Sequence, residues 1–341
     1  MLNFSCDYLE SAHPKVLERV AATNFEQTGC YGLDPHCEAA ANLIRAEARV
    51  PDADVFFLVG GTQTNMLVIS TMLRPYEAVV AAKTGHVSVH EAGAIEHGGH
   101  KVIEIAQRDG KVCARDVEAV FTAWEGDGNR EHMVFPKLVY LSQPTECGTL
   151  YTLDELTAIS EAAHRHGGLV YVDGARLLYG LTAEGNDVTL ADLGRLTDAF
   201  YVGGTKAGTL FGEAVVFTKK NAVPHFFTMM KQQGGLLAKG KLLGVQFEAL
   251  FTDGLWREIG GRADRCAERV RRRLAERSYE VVWPNKTNQT FVRLSNERAE
   301  ALGREVVMSF WERTDPDHAI WRIATSWATT DADLEALLER L

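Results

Sequence analysis

Leu169-Val-Tyr-Val-Asp173-Gly-Ala-Arg176 is the stretch on which the fold turns. Four apolar residues, preceded by Gly167-Gly168 and stopped by Gly174, are too short for a helix and predict a strand buried on both faces. Asp173 emerges from the end of that strand. An acid in such a place is costly unless a cation or hydrogen-bond donors meet it.

Working outward, similar runs recur at Val55–Val59, Ala78–Ala82, Val102–Ile105, Leu138–Leu141, Ala199–Val202 and Ala214–Phe217. Segments of helical period lie between most of them. In Thr152–His166, Leu153, Leu156, Ile159, Ala162 and Ala163 fall on one face, and Thr152 with Glu155 forms a capping-box signature. Alternation of this kind predicts an α/β chain with a mostly parallel, seven-stranded sheet covered by helices on both faces. Beyond about Gly234 the pattern becomes largely helical to Ser278. Strand-like segments follow at Tyr279–Trp283, Gln289–Leu294 and Ala319–Ala324, with helical patterns at Glu297–Phe310 and Asp331–Leu341. A large domain over 1–250 and a small α+β domain over 251–341 are expected. The basic run Arg269-Val-Arg-Arg-Arg reads as a solvated helix face.

The 341 residues carry a formal charge of −10, which speaks against a nucleic-acid or anionic-membrane surface. Six cysteines (Cys6, Cys30, Cys37, Cys113, Cys147 and Cys266) have no paired spacing and read as reduced thiols. No signal-peptide pattern and no apolar stretch of roughly 18 residues is present. A cytoplasmic protein is expected.

In a sheet of this kind ligands gather at the carboxyl ends of the strands. The Val55–Val59 run ends in Gly60-Gly61-Thr62-Gln63-Thr64-Asn65 and opens a helix, which reads either as a phosphate cradle or as an ordinary turn with an N-cap. Asp173 reads as the partner of a protonated pyridinium, as a salt bridge to Arg176, or as an Asx turn. The Ala199–Val202 run ends in Gly203-Gly-Thr205-Lys206-Ala-Gly, where desolvation would make Lys206 an amine nucleophile. Cradle, strand-end acid and glycine-flanked lysine occur in that order. Together they point to pyridoxal phosphate (PLP) held as an imine on Lys206. His86 and His90, four apart, are a weaker pattern for a metal, and no metal is expected.

With these motifs and Tyr31-Gly-Leu-Asp-Pro, His86-Val-Ser-Val-His-Glu91-Ala-Gly and Ile320-Trp-Arg322, nearly the whole chain resembles the threonine aldolases of the β-eliminating lyase group. The resemblance implies the PLP fold of the aspartate aminotransferase superfamily. It implies that Lys206 carries the cofactor, Asp173 pairs with its ring nitrogen, His86 stacks on the ring, and Gly61, Thr62 and Gln63 hold the phosphate, with Thr205 beside them. Arg322 and Arg176 would serve the substrate carboxylate or the phenolic oxygen, and Asp7 falls in the same group. Tyr31 would reach a neighbouring subunit's site, so residues 1–40 would lie at the interface of a homodimer or homotetramer. The implied reaction is retro-aldol cleavage of a β-hydroxy-α-amino acid, with β-elimination and transamination as alternatives. The chain departs from the group in two places: Glu146 stands where many members have a histidine, and Cys6 where a serine is common.

Overall fold

A computed structural model describes residues 1–341. The first element is a two-residue strand, β1 (Leu2–Asn3), and the central sheet then takes seven strands. These are β2 (Asp54–Leu58), β3 (Glu77–Ala82), β4 (Val102–Ile105), β5 (Phe135–Ser142), β6 (Leu169–Asp173), β7 (Ala199–Gly203) and β8 (Glu213–Phe217). Their spatial order is β2-β8-β7-β6-β5-β3-β4. Every pairing is parallel except those of β8, which runs antiparallel to both neighbours. All seven expected strands are therefore present, in one mostly parallel sheet.

Alternation within each strand divides the core. Val139 and Leu141, Val170 and Val172, Phe200 and Val202, and Ala214 and Val216 join one apolar cluster. Leu138 and Tyr140, Tyr171, Ala199 and Tyr201, and Val215 and Phe217 join another, on the opposite face. Both faces are buried, which is why these strands read as continuous apolar runs. The second face is covered partly by the helix Gly61–Met72, through Leu67, Val68 and Ile69. By parity, Asp173 and Glu213 point to this face. The Thr152 capping box forms as expected: Thr152 Oγ1 accepts from the Glu155 amide, and Glu155 Oε2 accepts from the Thr152 amide.

A second sheet follows, built from β9 (Glu280–Val281), β10 (Gln289–Ser295), β12 (Ser309–Asp315) and β13 (His318–Ala324) in the order β12-β13-β10-β9, with β11 (Val306–Val307) outside it. The helix expected over 297–310 stops at Gly303, and residues 309–315 form a strand instead. Phe310, Trp311 and Thr314 favour the pleated surface, and a turn through Pro316-Asp317 returns the chain to β13. β1 pairs in parallel with β11, and Phe4 packs with Val270, Val292, Ile323 and Leu337, so residues 2–4 are built into this C-terminal layer. The basic run also departs from a simple solvated face. Arg271 turns inward and donates to Thr287 O at 2.8 Å and Asn285 Oδ1 at 3.3 Å, capping a buried loop. No helix is long and apolar enough to cross a membrane.

The helices Pro35–Ala48 and Lys241–Phe251 touch backbone to side chain at Gly244. A Cβ there would stand 2.4 Å from the Cys37 nitrogen and 2.6 Å from its Sγ. Gly244→Ala should therefore lower stability by about 1–3 kcal/mol through overpacking, read as a lower thermal midpoint with the far-ultraviolet spectrum retained.

Candidate active site

Where the parallel strands end, a cavity of about 750 Å³ opens between the central sheet and the C-terminal layer. Gly60, Gly61, Thr62, His86, Glu146, Asp173, Arg176, Thr205, Lys206 and Arg322 all line it. Residues predicted from six separate stretches of sequence thus meet in one place.

Asp173 forms the floor and is almost wholly buried. Its Oδ2 accepts from Tyr140 Oη at 2.7 Å and Asn65 Nδ2 at 2.9 Å. Its Oδ1 accepts from Tyr201 Oη at 2.5 Å and the Ala175 amide at 2.9 Å. Of the three readings of Asp173, the salt bridge to Arg176 is not formed, whereas the Asx turn to Ala175 is. Burial alone would raise the carboxyl's pKa. The charge on His86 and the hydroxyl and amide donors outweigh it, so the carboxyl stays below its ordinary value, ionised.

Asn65 extends the network, donating to Glu91 Oε1 at 2.6 Å and accepting from Tyr171 Oη. Glu91 Oε1 lies 2.7 Å from His86 Nδ1. Burial disfavours a charged imidazole, but Glu91 and Asp173 overcome it and raise the ring's pKa. Glu146, which stands in the expected histidine's place, is tied to the same segment: its Oε1 accepts from the His86 amide at 2.9 Å and from Ser142 Oγ at 2.6 Å. Burial raises its pKa above the usual carboxylate range.

The two arginines differ. Arg176 is paired, with Nε and Nη2 on Asp7 at 2.7 and 2.9 Å. Arg322 has no acid within 4 Å; it donates to Gln289 Oε1, Ser5 O and Ser309 Oγ, its Nε is unpartnered, and it lies over the Trp311 ring. Burial and the nearby Arg176 lower its pKa. Asp7 is fully buried behind Arg176, where Asn288 Nδ2 also binds it, and does not itself line the cavity.

At the far end, Gly60 gives the helix Gly61–Met72 no capping side chain. Its first amides are free to face an anion, so the ordinary N-cap reading fails here. Gln63 turns back to accept from the Val59 amide and does not line the cavity. Lys206 projects between this end and Asp173, with its pKa lowered by burial and by Arg176. Tyr31 lies outside the cavity, beside a separate apolar hollow. Sequence reading did not single out Tyr140 and Tyr201, which share a face on strands flanking β6. Glu213 was missed as well, although it opens an apolar strand much as Asp173 closes one.

An ionised floor acid, a lysine with a depressed pKa and an uncapped helix N-terminus fit the ring nitrogen, the aldehyde and the phosphate of PLP. The sheet order and this cavity define a PLP-dependent enzyme of the aspartate aminotransferase fold. The beta-eliminating lyase family model matches residues 4–297, and the chain belongs to that family: it is a PLP-dependent lyase. A solved threonine aldolase from Leishmania major is 43% identical, with a TM-score of 0.96 over 99% of this chain and 98% of that one. A low-specificity L-threonine aldolase from a Pseudomonas species is 28% identical over 337 residues, 98% of this chain and 95% of that protein. Aspartate aminotransferase from Thermus thermophilus shares the fold at a TM-score of 0.72 and 16% identity, over 100% of this chain and 90% of that one.

Burial raises the Asp7 carboxyl, but Arg176 more than offsets it and leaves a pKa of about 2 against an ordinary 3.8. A depressed carboxylate stabilises the fold above its unfolded pKa, and that contribution is lost as pH falls through the folded one. The stability gap between wild type and Asp7→Asn should therefore be widest above pH 5. Below about pH 4 it should shrink, by about 2 kcal/mol in all, in urea titrations.

Proposed function

We propose that the enzyme cleaves the Cα–Cβ bond of β-hydroxy-α-amino acids such as threonine or allo-threonine, releasing glycine and an aldehyde. The observation that carries this reading is a guanidinium without an acid partner, Arg322, in the same cavity as a buried carboxylate able to take a proton, Glu146. The threonine aldolases it resembles support the same reading.

PLP, when bound, supplies an electron-poor ring conjugated to the substrate amine. Lys206 would hold the cofactor through its side-chain amine. Asp173, fixed by four donors, keeps the ring nitrogen's proton in place. Gly61, Thr62 and Thr205 hold the phosphate end. Arg322 binds the substrate carboxylate and so sets which bond at Cα stands perpendicular to the ring; Arg176, already balanced by Asp7, serves the phenolic side. The hydroxyl proton passes to Glu146, which accepts from the His86 amide, while the His86 ring stays paired with Glu91. The O–H electrons form the aldehyde C=O, the Cα–Cβ pair is left with Cα, and a proton returned from Glu146 or solvent to Cα completes glycine. Burial of Glu146 suits the role, since a carboxylate of raised pKa is a stronger base.

The purified enzyme should release acetaldehyde and glycine from threonine or allo-threonine. Release of a keto acid and ammonia instead would mark it as an eliminating enzyme. Arg322→Gln should raise KM by about 10–100-fold while the bound cofactor's visible band persists. Glu146→Gln should lower kcat by about 100-fold or more with KM little changed. Full turnover in Glu146→Gln would overturn the assignment of Glu146 as the base.

A further inference from the structure

Glu213 is a buried acid that the reaction above does not use. It opens β8, between Gly203 of β7 and Leu58 of β2 in register. Leu58 is the last residue of β2; Val59 and Gly60 follow, and Gly61 begins the helix. Strand parity puts Glu213 on the face this helix covers. Its carboxyl therefore stands beside the cradle, and it lines the same cavity as Gly60, Gly61 and Thr62.

Its partners are few. Oε1 accepts from Thr205 Oγ1 at 2.8 Å, and that hydroxyl in turn accepts from the Gly212 amide at 3.0 Å. Oε2 is enclosed and has no partner. No cation comes within 4 Å, so the carboxyl has no salt bridge, and Lys206 acts on it only through its charge at longer range. The titratable groups facing it are Tyr201 and Lys206 from β7 and its following turn, and Asp173 and Tyr171 from β6. The helix Gly61–Met72 contains no titratable residue, and the one acid of β2, Asp54, sits at the strand's other end.

An ionised carboxylate here would repel the phosphate that the helix N-terminus attracts. A protonated carboxyl adds a donor at the place where Oε2 lacks a partner. We propose that Glu213 is a ligand of the cofactor phosphate that works as an uncharged carboxylic acid, its Oε2–H donating to a phosphate oxygen, so that in alkaline solution seating PLP takes up one proton at this residue. The balance is one O–H bond formed on Oε2, with the proton drawn from Lys206 as it becomes a free amine, or from solvent. Burial favours the neutral form, and against the pull of Thr205 and Lys206 it raises the carboxyl's pKa to about 8. The proposal rests on PLP occupying this cradle.

The test measures the affinity of the cofactor-free protein for PLP between pH 6.5 and 9, by fluorescence quenching and the visible band, in wild type and Glu213→Gln. Glutamine keeps the shape and cannot ionise. The ratio of wild-type to variant Kd should be flat below pH 7 and rise about tenfold by pH 9, as one proton must be added back. Pyridoxal, which has no phosphate, should show no such rise. A ratio that stays flat for PLP, or rises equally for pyridoxal, overturns the proposal. Should the variant not fold, calorimetry of the wild type with PLP and with pyridoxal, each in two buffers of different ionisation enthalpy at pH 8.5, replaces it. PLP must then take up a proton beyond the phosphate's own titration, and equal uptake refutes the idea. A wild type that forms no visible band at any pH would instead refute the cofactor site itself.

Discussion

The site is organised around one ionised carboxylate held in the interior by uncharged donors. Asp173 ends a strand buried on both faces, where an isolated charge could not persist, and four hydrogen bonds from two flanking strands, a helix and its own turn make it tolerable. Each donor must be in place for the charge to be stable, so the requirement reaches outward. Tyr140 and Tyr201 have to lie on the face of Asp173 on the strands to either side, which fixes register across β5, β6 and β7. Asn65 has to reach from the helix Gly61–Met72, which fixes that helix and therefore the amides of its first turn. Through Asn65 the same network reaches Glu91 and His86. The floor, the anion-binding end and the imidazole are one hydrogen-bonded unit.

The end of the cavity that holds Arg176 and Arg322 follows different physics. Two guanidiniums share it, and only Arg176 is neutralised from within the protein. Arg322 is held by carbonyl, amide and hydroxyl oxygens and leans on Trp311, so it is oriented without being discharged. A buried cation in that condition favours any ligand that brings a carboxylate. His86 and Glu146 belong to the other wall, where burial raises one pKa and a paired acid raises the other.

Much of the fold was legible because a sheet buried on both faces leaves continuous apolar runs. The interior strands carry that mark, whereas β4, at the edge, reads Val-Ile-Glu-Ile with Glu104 exposed. β12 lacks it, since it is a half-exposed edge whose apolar residues continue the helical spacing of 297–303; only its pairing with β13 makes it a strand. In the site, Asp173, Lys206 and the glycine turn could be recognised because they sit at strand ends among small residues. Gln63 lies within the same motif, yet its amide finds the Val59 backbone nearer than the cavity. Asp7 could be grouped with the substrate end, but its burial beneath Arg176 depends on a contact 169 positions away in sequence. Glu213 escaped notice because an acid before Ala-Val-Val-Phe looks like a surface residue leading into a strand. Its burial arises only when β2 and β7 close on both sides.

The pairing of β1 with β11 bears on how the molecule is made. Residues 2–7 brace both guanidiniums: Ser5 supplies a carbonyl to Arg322, and Asp7 balances Arg176. Their own supports are β11, Asn288 and the end of β13, which are among the later parts of the chain to be synthesised. During translation the strands of the central sheet precede those of the small sheet, so residues 2–7 meet their supports only after the central sheet is made. The bracing of Arg176 and Arg322 therefore depends on chain made after the central sheet, which couples one wall of the cavity to the last layer of the fold.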